Sequence, residues 1–216
     1  MKNYLTEFIG TFFLVFTIGM TVTAGSEFAP LAIGSALMVM VYMGGHISGA
    51  HYNPAVSLAV FMRGKLPAGE VAPYMASQIV GALAATGTVH FITGQAFAPA
   101  PGPEAGVVEV LLAELLFTFA LCLVVLNVAT ADATSGNSFY GLAIGFTVMV
   151  GAFSVGGVSG GAFNPAVGTG PILANAAMGI GEVGNLWYYW VGPLAGAALA
   201  AMVFKVQNPD GPGEGE

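Results

Sequence analysis

Residues 31–56 and 142–167 are near-copies of one another, displaced by 111 positions. They match at Leu-Ala-Ile-Gly, Met-Val, one Gly, Ser-Gly and a closing Asn-Pro-Ala-Val, half of the 26 positions compared. Upstream of each copy a second pattern recurs: TEFIGTF places Glu7, Thr11 and Phe12 as AELLFTF places Glu114, Thr118 and Phe119. A chain written as two copies of one unit is expected to fold both copies alike. The question becomes what medium the unit folds in.

Composition answers it. The chain is 56% hydrophobic and 7% charged, against roughly 25% charged for an average soluble domain. Six long apolar segments, at about 4–23, 30–45, 71–94, 107–129, 139–156 and 186–206, leave no stretch for a separate soluble unit. Hydrocarbon offers the backbone no outside partner, so each segment is expected to be a helix, and the fold class is an all-α membrane protein. A net charge of -7, sparse and scattered, excludes a nucleic-acid surface. A signal peptide at the N-terminus is set aside, because Glu7 interrupts the apolar run and the same segment is used again later in the chain. Cys122 is the only cysteine, so no intrachain disulfide exists; it reads as a small apolar core residue.

The repeat now fixes topology. Each copy holds three spans (repeat 1 about 1–97, repeat 2 about 107–206), and an odd number of spans sends the second copy into the membrane from the opposite face. The expectation is one membrane domain over 1–206, an inverted three-plus-three repeat, followed by a disordered tail at 207–216 rich in Gly, Pro and Glu. Lys2, Arg63, Lys65 and Lys205 fall on one side of such an arrangement, and Glu27, Glu104, Glu109 and Glu182 on the other. The positive-inside rule then puts both termini in the cytoplasm.

Two shorter segments, NPAVSLAVFM and NPAVGTGPIL, are about ten residues each, and as helices they cover ~15 Å, half of a ~30 Å hydrocarbon core. They cannot span. In each, Asn stands at the N-cap and Pro in the first turn, where its missing N–H costs nothing. A glycine-containing stretch, GHISGAHY or GGVSGGAF, precedes each one. Irregular backbone at membrane depth survives only where it is buried or lines a water-filled cavity. Inverted symmetry brings the two half-helices together near the midplane as re-entrant elements. The carbonyls of Gly49, Ala50, His51 and Tyr52, and of Gly160, Gly161, Ala162 and Phe163, are then expected to form a ladder of acceptors, with Asn53 and Asn164 as central donors. That is a path for something that forms hydrogen bonds.

At these residues the chain resembles the major intrinsic protein family, the aquaporins and aquaglyceroporins, over nearly its whole length. GGHISGAHYNPAVS is similar to the first motif of plant tonoplast intrinsic proteins and bacterial homologues. The resemblance implies an hourglass bundle, a homotetramer with one pore per subunit, lodged in a lipid bilayer, with no cofactor, no metal and no nucleic-acid partner. It implies pore motifs at Asn53, Pro54, Ala55 and at Asn164, Pro165, Ala166. It also implies an outer selectivity filter at Ile33, Ala152, Gly161 and Val167. Most of the family carries arginine at the last of these positions. Strict water channels add an aromatic residue and a histidine, so a filter of Ile, Ala, Gly and Val is wide, apolar and uncharged. Close helix packing suits Gly141-xxx-Gly145 and Gly192-xxx-Gly196.

Several residues carry two readings. Glu7 and Glu114 read as proton-relay acids, since ionisable groups in spans are functional by default; the resemblance makes them braces that accept backbone N–H bonds from the half-helix loops. His46 and His51 form a weak metal pair, and packing or loop hydrogen bonding is the expected role. His90 is expected to be packed, and WYYW (187–190) to mark the membrane interface. The function expected is a passive channel for water and small uncharged solutes such as glycerol, urea, ammonia or peroxide, in a bacterial inner membrane. A strict water channel and an ion-coupled transporter stand as alternatives. A transporter would need a charged coupling site at the midplane, where none of the four basic residues lies. No enzyme is expected, because no nucleophile-base pair accompanies the motifs.

Overall fold

The computed structural model describes residues 1–209 and is all-helical through them apart from turns and connections. Six helices are long and apolar enough to cross a membrane: α1 (Lys2–Thr23), α2 (Ala29–Ser48), α4 (Ala68–Thr93), α5 (Val107–Ala129), α6 (Tyr140–Ser159) and α8 (Tyr188–Gln207). Between them lie two short helices, α3 (Pro54–Met62) and α7 (Pro165–Ala177). The span α2 runs past the expected stop at Gly45 to Ser48, and α6 runs past Gly156 to Ser159. Both end instead at a glycine with left-handed backbone, Gly49 (φ 86°) and Gly160 (φ 88°), the conformation that closes helices most readily. The helix α7 also exceeds its expected ten residues, reaching thirteen with Pro171 inside it.

The expected tail begins later than the composition suggested. Gln207 completes α8, and Asn208 caps it, donating its side-chain N–H to Asn127 Oδ1 and Phe204 O, each at 3.2 Å. The rest of that tail, 210–216, lies outside the described residues.

Lipid gives helices no hydrophobic reason to associate, so close van der Waals packing has to hold the bundle. Glycine supplies the closeness. A Cβ added at Gly81 of α4 would lie 2.5 Å from Phe8 O of α1, and one added at Gly196 of α8 would collide with Leu115 O of α5. The pairs α1–α4 and α5–α8 are equivalents in the two repeats. The half-helices pack across the repeats: α3 against α8, and α7 against α4, where Gly170 abuts Ala82. Each repeat thereby buries the other's short helix.

Candidate functional site

The loops before α3 and α7 adopt backbone conformations that most residues avoid. Besides Gly49 and Gly160, Ala50 (φ 52°), Tyr52 (φ 49°), Gly161 (φ 63°) and Phe163 (φ 48°) are left-handed. For a bulky residue this costs on the order of 1–3 kcal/mol and persists only where the surroundings over-determine it. Two buried carboxylates do so. Glu7 Oε1 accepts from Ser48 Oγ (2.7 Å) and His51 N (3.0 Å), and Oε2 from Tyr52 N (2.7 Å) and Gln78 Nε2 (2.8 Å). Glu114 accepts from Ser159 Oγ (2.7 Å), Ala162 N (3.0 Å) and Phe163 N (2.7 Å). Both are fully buried, and neither lines the two cavities described below. Their oxygens are turned to donors of the loops before α3 and α7.

Ring packing completes the hold. The Tyr52 ring fills a slot between Gly10 and Gly44, where any added Cβ would collide with it, and its hydroxyl donates to Met40 O at 2.9 Å. Phe163 sits against Gly151 and Phe117. Tyr74 and Tyr189 then donate to the carbonyls of Ser48 and Ser159, at 2.9 and 2.7 Å, at the end of each preceding span.

Asn53 and Asn164 stand at the N-caps of α3 and α7, accepting from Ala55 N (2.8 Å) and Ala166 N (2.9 Å). Their amide nitrogens cross the midline. Asn53 Nδ2 donates to Phe163 O and Asn164 Nδ2 to Tyr52 O, both at 2.9 Å. The carbonyls of Tyr52 and Phe163 thus each accept one bond from the opposite amide, and a carbonyl oxygen has a second lone pair to offer. Each amide keeps one N–H for anything else, because an NH₂ carries two. Pro54, Ala55, Pro165 and Ala166 are buried behind the asparagines and line neither cavity.

Two cavities meet at this point. One, of 370 Å³, opens toward the end where α1 finishes and α2 begins, and is lined by Asn53 and Asn164 together with Ile33, Ala152, Gly161 and Val167. Ala50, His51, Tyr52, Gly160, Ala162 and Phe163 share its wall. The other, of 910 Å³, opens toward the N-terminus of α1, between the α3–α4 and α5–α6 connections, and takes in Gly49 and His46. His51, Val125 and Ile144 line both. His51 is held by Ser57 Oγ (3.1 Å) and the Tyr74 ring (centroids 5.1 Å apart).

Sequence reasoning missed much of the wall. Leu14 and Leu121, Ile18 and Val125, and Leu37 and Val148, each pair related by the repeat, line the 370 Å³ cavity, as do Ile144 and Val56, the repeat equivalents of Ile33 and Val167. The repeat offset applied to Ile33 alone would have found Ile144. Phe97–Ala100, from the connection between α4 and α5, also form part of this wall, and no motif marked them. Two expectations need correcting. Tyr189 of the aromatic run is fully buried against Gly168, and Trp190 Nε1 donates to Thr169 Oγ1 at 2.9 Å, so only part of the run faces outward. Consecutive residues at a helix start point to different sides, which splits such a cluster. His90 is only partly packed and lies 3.2 Å from Gln95 O at the end of α4.

Comparison with known proteins agrees with this architecture. The chain is 37% identical to aquaporin NIP1-1 of Zea mays, over 95% of its own length and 74% of that protein, and 34% identical to aquaporin Z of Rhodopseudomonas palustris, over 97% and 94%. Its structure matches the aquaglyceroporin of Plasmodium falciparum with a TM-score of 0.81, 25% identity and 94% coverage of each chain. The profile of the major intrinsic protein family matches residues 1–204. The chain belongs to the major intrinsic protein family, the channel family of the aquaporins and aquaglyceroporins.

Proposed function

We propose that the chain conducts water together with small uncharged solutes larger than water, with glycerol, urea, ammonia and peroxide as the leading candidates. One observation carries this reading: Ile33, Ala152, Gly161 and Val167 line a single cavity, and none of them is charged, aromatic or a hydrogen-bond donor through its side chain. Below them the path is faced by backbone carbonyls and by the Asn53 and Asn164 amides. These exchange hydrogen bonds with a passing solute and need no energy input. Ions are excluded by desolvation in the apolar wall and by the two half-helix N-termini that meet at the asparagines.

In this reading residues 1–206 make up one pore unit, four copies assemble in the bilayer, and both termini face the cytoplasm of a bacterial cell, the membrane being the inner one. The distribution of Lys2, Arg63, Lys65 and Lys205 supports the orientation, and the similarity to a bacterial aquaporin supports the setting. A stopped-flow panel on proteoliposomes, comparing water, glycerol, urea, ammonia and peroxide, tests the reading. Flux of at least one larger solute above protein-free vesicles is expected. Water flux alone would leave a strict water channel, and saturable uptake driven by an ion gradient would make the chain a transporter.

A further inference from the structure

The small filter side chains leave one side of the outer mouth to the segment Phe97–Ala100, which has no regular structure of its own. Backbone packing fixes its far end: Gly102 N donates to Val158 O at 2.9 Å, and a Cβ added at Gly160 would lie 2.7 Å from Ala100 N. At its near end the Phe97 ring fills a slot against Gly19 and Val89. A side chain supplies the remaining hold. Asn175 Nδ2 donates to Phe97 O at 3.0 Å, and both residues are buried.

Asn175 lies on α7, the helix that also carries Val167. Its Oδ1 is buried without a partner. An amide left half-satisfied in an apolar setting works against folding, so packing alone would favour a leucine here. What the amide provides is the position of the Phe97 carbonyl. We infer that Asn175 is a selectivity-positioning residue: it holds Phe97–Ala100 in place as the fifth wall of the outer mouth, and so limits the size of solute admitted. The inference rests on the channel reading above. Without the tether the Phe97 carbonyl becomes a buried acceptor with no partner. The segment then moves toward water, and the mouth widens.

The test uses Asn175→Leu and Asn175→Asp, which keep the branched shape of the side chain and remove the amide donor. Water and glycerol fluxes are measured in the same proteoliposomes as wild type. Both variants are expected to raise the glycerol-to-water ratio several-fold. An unchanged ratio in both variants overturns the inference. A further arm does not depend on those variants folding. Ala100→Cys, treated from outside with a methanethiosulfonate reagent, is expected to lose glycerol flux relative to the same variant before treatment; Cys122 is buried and silent. Flux unaffected by the reagent shows that this segment does not wall the path. Wild type that conducts neither solute would overturn the channel reading itself, a result distinct from conduction with an unchanged ratio.

Discussion

Gly34 and Gly145, equivalent positions in the two repeats, meet backbone to backbone where α2 crosses α6. A Cβ added at Gly34 would lie 2.7 Å from Gly145 O, and one added at Gly145 would collide with Gly34 O. The contact is reciprocal, as it must be for residues beside the pseudo-two-fold axis. It sets the spacing of the helices that carry Ile33, Leu37, Ile144 and Val148 to the cavity.

Gly145→Ala is therefore expected to push α6 away from α2. Overpacking of this kind costs about 1–3 kcal/mol, here at the upper end because the obstacle is backbone. Thermal unfolding in detergent should show the loss, with water flux per protein falling alongside. Gly87→Ala is the control, since nothing lies within 4 Å of an added Cβ there. It is expected to be neutral or stabilising by about 0.5–1 kcal/mol, because alanine is the better helix former. Equal destabilisation by both substitutions would remove the argument from close approach.

The topology was legible because lipid restricts the chain to helices and the repeat doubles every signal. Glu7 and Glu114 could be singled out for the same reason: an acid at the same place in each copy of an apolar span is hard to miss. The direction of the Asn53 and Asn164 amides was not legible. Nothing in Asn-Pro-Ala says that the preceding carbonyl of the other copy, Phe163 or Tyr52, will lie within 2.9 Å. Nor was the role of Phe97–Ala100, since a connection without periodicity carries no signal for where it folds back. Tyr52 and Phe163 show a third limit, because their left-handed backbone is imposed by tertiary contacts that oppose local preference.

The two braces are unequal, and stability should report it. Glu7 accepts from Gln78 in addition to the serine and two backbone donors that Glu114 also has as counterparts. Replacing either acid by glutamine turns an amide NH₂ toward existing N–H donors, and a buried donor left unpaired costs about 1–3 kcal/mol. Glu7→Gln is expected to lower the melting temperature in detergent more than Glu114→Gln does. The reverse order would mean that Gln78 contributes nothing to the brace.

Asn164→Asp changes charge and bonding together. The carboxylate cannot donate to Tyr52 O, so the cross-link on that side is lost at a cost of about 1–3 kcal/mol. A negative charge at the meeting of two half-helix N-termini also weakens the positive potential that repels cations. Recordings on the variant are expected to show a cation or proton leak absent from wild type, and Asn53→Asp should behave alike through Phe163 O. A less stable variant with no added leak would leave Asn164 as a structural cap only.

In the function proposed above, Val167 decides what the outer mouth can admit. It lies on the third turn-forming position after Asn164, at the start of α7, 5% exposed and on the same cavity wall as Ile33, Ala152 and Gly161. None of these side chains offers a donor, so a solute at this level meets only space, carbonyls and apolar surface. Val167→Arg introduces a planar group with five N–H donors and a permanent charge. The group fills part of the 370 Å³ cavity. It obstructs a three-carbon polyol far more than a single water molecule, which can replace a lost hydration bond with a guanidinium donor. Glycerol flux is therefore expected to fall much more than water flux when both are read from one vesicle preparation, which controls for expression and folding. Equal proportional loss of the two would show that the arginine disturbs the bundle rather than the mouth, and the wide-filter reading would then fail.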